Sequence, residues 1–153
     1  MPPVKTQLLD ELYYLGGVYV EIDQAYKHAD FTKDLQAFIP VLKKQEQEMF
    51  SGQNDSAGEA RAPLAESTIA KKGHDRILFE TGALGDSLFS ETDDSIRDVS
   101  DHYLTFGTSD KKAMFHQEGT RRMPARPPVG ISPENIDKFS DSMADALVEK
   151  LKD

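Results

Sequence analysis

The chain has no cysteine, no tryptophan and no long apolar run. Without cysteine there is no disulfide and no thiolate metal site, which suits a reducing compartment. Without an apolar stretch of about twenty residues there is no expectation of a membrane-spanning helix. The opening residues Met1 to Gln7 lack the apolar core of a secretory signal, so a cleaved leader is not expected. Positive charge is also scarce: 18 bases stand against 27 acids, a net charge of −9. Such a field disfavours general binding to the outside of DNA. At 153 residues the chain suits one domain, which buries roughly 70% of its unfolded surface and needs no staple.

Charge is unevenly placed. Residues 91–101 hold Glu91, Asp93, Asp94, Asp98 and Asp101 against Arg97 alone. Residues 111–126 hold Lys111, Lys112, Arg121, Arg122 and Arg126 against Glu118 alone. An acidic and a basic patch on one small domain can meet head to tail between copies, or can be two solvated loops. Pro124, Pro127 and Pro128 fix φ and remove backbone donors. Residues 111–128 therefore read as a stiff basic loop, and residues 51–62, polar and aperiodic, as a mobile one.

Leu8, Leu9, Leu12, Tyr13 and Leu15 have helical spacing over residues 5–15, closed by Gly16 and Gly17. Val18 to Asp23 alternates like a strand. Asp30 or Thr32 can cap a second helix with the stripe Leu35, Phe38, Ile39, Leu42 and Met49, which Pro40 should kink or divide. A short helix is expected at about 67–72, capped by Ser67 and stopped by Gly73. Residues 84–91, 95–99 and 102–108 read as the strands of an antiparallel meander. Ser132, Pro133 and Glu134 mark the start of a last helix, striped by Ile136, Phe139, Met143, Leu147 and Leu151. The expected architecture is a single α+β domain: an antiparallel sheet of three or four strands, helices on one face and a long C-terminal helix.

Catalytic chemistry has little to stand on. His116 and Glu118 would share a face only on an extended chain. The cysteine half of a zinc deaminase signature is missing, and His28, His74 and His102 have no ligand spacing. No nucleophile elbow or phosphate loop is present, and Gly82-Ala83-Leu84-Gly85 reads as a tight turn. Asp93, Asp94 and Asp98 lack the glycine and glutamate of a calcium loop. No enzyme, metal or cofactor is expected. The arginines remain. Arg121 and Arg122 have no interleaved aromatics of the kind that stack single-stranded bases. Arg126, set between prolines, is suited to a carboxylate on a protein partner. Nucleic-acid binding through this arginine loop is the alternative reading.

Three segments carry a resemblance: Pro63, Leu64, Ser67 and Thr68 in the first; Thr81, Gly82 and Leu84 in the second; His116, Gln117 and Gly119 with Pro124, Ala125, Arg126 and Pro127 in the last. In this order and spacing over residues 18–152, the chain resembles the phage virion morphogenesis family, the tail-completion proteins of Mu-like tailed phages. Two departures stand out: Arg61 lies near the place of a usual tryptophan, and Ala113-Met114-Phe115 stands where Tyr-Ala is common. The resemblance implies a structural protein of the virion, assembled in the bacterial host cytoplasm. It implies work at the head-proximal end of the tail, as a hexameric ring beside tail tube and neck proteins, without catalysis or cofactor. On that reading Arg121, Arg122, Arg126, Lys111 and Lys112 meet Asp93, Asp94 and Asp98 between subunits.

Overall fold

The computed structural model describes residues 17–21 and 29–151. The helix expected over residues 5–15 and the far end of the first strand lie outside these residues.

A 21-residue helix, α1 (Thr32–Gly52), is the spine. Its buried positions Leu35, Phe38, Leu42 and Met49 recur every three or four residues, as an amphipathic helix requires. The same face also buries Gln45 and Glu46, which an apolar-stripe reading leaves out. Phe31 occupies the N-cap position, and Asp30 serves the end instead by accepting the Thr32 N–H at 2.9 Å. Pro40 lies inside the helix without dividing it, so of the expected kink or division the division does not occur.

The sheet is antiparallel and α+β in context, with strand order β1-β3-β2. Its centre is a hairpin of β2 (Ser95–Val99) and β3 (Tyr103–Thr108), and β1 (Gly17–Glu21) lies along the other edge of β3. Leu104, Phe106 and Thr108 alternate along β3 and are all buried, so one face of the sheet meets the helices. Leu104 and Phe106 join Phe31, Leu35, Phe38, Leu42, Leu88, Val129 and Ala146 in one core.

The third strand of the expected meander is a helix, α3 (Ala83–Phe89). The apparent alternation hides Leu84 and Leu88 four residues apart, both buried on one helical face. Gly85 allows the close packing: a Cβ there would sit 2.9 Å from the Phe89 ring and 3.4 Å from Phe50. The hairpin therefore stands without a strand from residues 84–91. The short helix α2 (Glu66–Lys72) starts at Ala65 rather than at a Ser67 cap, and ends on Gly73 as expected.

The basic segment is corrected as well. Residues 111–118 are a helix, α4 (Lys111–Glu118), capped by Asp110, whose Oδ1 accepts the Lys112 N–H at 2.9 Å. The prolines begin only at Pro124, so their restriction does not reach this helix. The last helix, α5 (Pro133–Leu151), agrees with expectation. Ser132 Oγ accepts the Asn135 N–H at 3.2 Å, and Phe139, Met143 and Leu147 pack on the core, while Ile136 remains exposed. Gln45 pins the start of α5 to α1: its Nε2 donates to the Gly130 carbonyl at 2.7 Å. Its Oε1 accepts from the Ser132 N–H at 2.8 Å and from Asn135 Nδ2 at 2.9 Å.

Candidate interaction cleft

The chain turns sharply after α4 because of Gly119. Its φ is +76°, and a Cβ there would lie 2.7 Å from the Ala125 nitrogen. Any side chain would meet both left-handed backbone strain and a backbone clash. The turn closes through an antiparallel bridge between Thr120 and Met123. The Arg126 N–H then donates to the His116 carbonyl at 2.7 Å, folding the segment back along α4. Arg121 and Arg122 stand exposed at the tip of this turn.

Arg126 goes inward. It is buried, its Nε donates to the Ala62 carbonyl at 2.6 Å, and its Nη2 donates to the Pro63 carbonyl at 2.7 Å. The rigid guanidinium fork thus fastens residues 62–63 to the loop after α4. In place of the expected carboxylate on another subunit, backbone carbonyls of its own chain take up Nε and Nη2 of the fork. Gln117, also buried, exchanges two bonds with the Val129 backbone and holds the proline-rich run. Arg61 is a third internal tie. It donates to the Met49 carbonyl at 3.3 Å and the Pro127 carbonyl at 3.1 Å, with its guanidinium 5.2 Å from the Phe50 ring centre. Residues 53–61 between these ties form a bonded turn, with Asp55 Oδ1 accepting the Ala57 and Glu59 N–H groups at 2.9 Å.

These ties bring the motif segments onto one open cleft of about 1120 Å³. Pro63, Leu64, Ser67 and Thr68 line it from the start of α2; Thr81, Gly82 and Leu84 from the start of α3; His116, Pro124 and Arg126 from α4 and its loop. Gln117, Gly119, Ala125 and Pro127 stand behind it and shape the loop rather than line it. Lys71, Lys72, Lys112 and Arg122 also line the cleft, with Glu80 as its acid. His116 is half-buried and its Nδ1 has no hydrogen-bond partner among the described residues. Burial, then the Arg126 charge, holds its pKa below the ordinary value, and Asp110 opposes the shift.

The structure therefore splits the basic group. Lys112 and Arg122 line the cleft, Arg126 holds its wall, and Lys111 and Arg121 lie outside it. On the acidic side, Asp93, Asp94 and Asp98 are exposed. Asp98 faces Thr105 across the hairpin, and Asp94 accepts from the Ser109 N–H at 2.8 Å and from its Oγ at 3.0 Å. Asp94 thus lies next to the start of α4, so the two patches adjoin at one corner of the molecule.

Among the described residues, catalytic groups do not converge. On helix α4, His116 and Glu118 are two apart and do not face each other, which corrects the extended-chain pairing. Among the described residues no three His, Asp or Glu side chains gather as metal ligands. Sequence reading gave no role to Lys71 and Lys72, to the buried Gln45 and Glu46, or to the part-buried Arg97. Only Asp110, a capping residue three before Ala113, offered a signal for α4 that could have been read.

A model of the phage virion morphogenesis family matches residues 22–148. No curated protein and no solved structure matches the chain. The family match runs through α1 to α5 and through every segment that builds the cleft, and so this chain belongs to the phage virion morphogenesis family.

Proposed function

We propose that this protein completes or terminates a phage tail. It acts as a structural ring, a hexamer at the head-proximal end, and is assembled in the host cytoplasm into the virion. The observation that carries the reading is the use of two motif residues, Arg126 and Gln117: their side chains bind the chain's own backbone and hold a surface together, rather than forming a set of reactive groups. Tail tube and neck proteins are the partners on this reading.

A ring needs two different patches per subunit. Lys111 and Arg121, outside the cleft, meet Asp93 and Asp98 of the next copy. A negative overall field lets DNA pass without adhering. Electron microscopy of lysates from an inducible prophage lacking this gene is the test. Full heads beside unjoined tails of normal length support completion, and overlong tails support termination. Normal infectious particles overturn the proposal.

A further inference from the structure

We propose that the cleft is a docking site for an extended, carboxylate-rich peptide segment of a partner protein. Besides Arg126, which is bonded to its own backbone, four cations line it, Lys71, Lys72, Lys112 and Arg122, against the single acid Glu80, in a chain whose net charge is −9. None of the four has an ion-pair partner among the described residues. Lys72 Nζ donates only to the Arg76 carbonyl, at 3.3 Å. Concentrating unpaired cations against the sign of the whole molecule costs self-repulsion, which a carboxylate-bearing ligand relieves.

Leu78, Leu84, Met123 and Pro124 add apolar lining beside Ser67, Thr68 and Thr81. Cations and apolar groups on one surface fit a peptide that alternates acidic and apolar side chains. Nucleic acid fits poorly. The one benzene ring in the cleft, Phe79, is covered: the Arg76 guanidinium lies 3.7 Å from its centre and His74 meets it edge-on at 5.7 Å. Phe79 is therefore not an open platform for a stacked base.

A second copy fits poorly too. Two acids of the 91–101 segment are engaged at home, Glu91 with Lys43 at 2.8 Å and with Arg97 at 3.7 Å, and Asp94 with Ser109, and Asp93 and Asp98 are the acids assigned above to the ring contact. The walls need no ordering on binding, because Arg126 already joins them.

The test is fluorescence anisotropy on the purified full chain with a labelled peptide of alternating glutamate and leucine. Its lysine–leucine counterpart, oligothymidine and a peptide of residues 91–101 serve as competitors. The acidic peptide should bind most tightly and weaken as salt rises. The triple variant Lys71→Glu, Lys112→Glu, Arg122→Glu should lose at least about tenfold in affinity. The single variant Arg122→Glu, at an exposed turn, provides the same comparison if the triple variant does not fold. Unchanged affinity in the folded variant overturns the proposal. So does tighter binding of oligothymidine, which would assign the cleft to nucleic acid, or of the 91–101 peptide, which would assign it to a second copy. Tail assembly plays no part in the readout, so failure here leaves the tail-completion proposal standing.

Discussion

Arg126 and Glu46 show how much a single side chain decides in this protein. Arg126 supplies two charge-assisted bonds to carbonyls that no other group serves among the described residues. Arg126→Ala should cost about 1–3 kcal/mol through the loss of two part-buried charge-assisted bonds, and Arg126→Lys should recover only part of that because an ammonium cannot fork. Urea midpoints of the two variants check this. Glu46 is fully buried, and neither carboxyl oxygen has a hydrogen-bond partner among the described residues. Burial pushes its pKa up from 4.5 to about 8, against the opposing pull of Arg61, the Gly130 backbone and Arg97. The folded state thus holds a proton that the unfolded chain releases above pH 4.5. Stability should fall as pH rises from about 4.5 to about 8 and level off beyond. Glu46→Gln should flatten that slope and gain on the order of a few kcal/mol at pH 8. Urea titrations across the window provide the comparison, and an unchanged slope in the variant would rule out Glu46 as its source.

At the scale of elements, helix α3 and the hairpin depend on Arg97. It lies opposite Phe106 in the sheet register, with its guanidinium 4.1 Å from the ring centre. From there Nη2 donates to the Ser87 carbonyl at 3.1 Å and the Leu88 carbonyl at 2.6 Å, and Nη1 to the Gly107 carbonyl at 3.0 Å. One cation therefore caps the end of α3 and holds it to β3. Arg97→Met should cost about 2–3 kcal/mol through orphaned carbonyls and loosen α3 more than α5. Amide hydrogen exchange should show protection lost across residues 83–90 and kept across α5; uniform loss would mean that the two helices open together. Gly119→Ala should separate the cleft from the core in a similar way. The clash with Ala125 costs about 1–3 kcal/mol locally, and the shift falls on the turn carrying Arg121 and Arg122.

For the whole molecule, assembly is the measurable property. If Lys111 and Arg121 meet Asp93 and Asp98 of the next subunit, Arg121→Glu should block ring formation while the monomer melts normally. A second change, Asp98→Lys, should restore rings with the charges exchanged. Sedimentation and negative-stain images of the two variants decide the matter, and rings persisting in the single variant would exclude this interface. The exposure of Arg121 and Asp98 makes both changes tolerable for folding.

What the sequence by itself determined were the features with local causes. The spacing of Leu35, Phe38, Leu42 and Met49 marked α1, the Ser132-Pro133-Glu134 start marked α5, and β-formers marked the hairpin. The order of the short motifs identified the family. Tertiary structure alone decided the rest. Residues 84–91 satisfy both a strand period and an i, i+4 helix pair, and only the packing of this segment against α1 and β3, with Leu88 in the core, selects the helix. Residue type also could not say which arginines reach outward. Arg126 and Arg121 look alike in a basic stretch, yet one meets free carbonyls 63 and 64 residues away in the chain and the other meets solvent. The cleft exists for the same reason, because bonds between distant segments, rather than the order of residues within any one of them, bring its walls together.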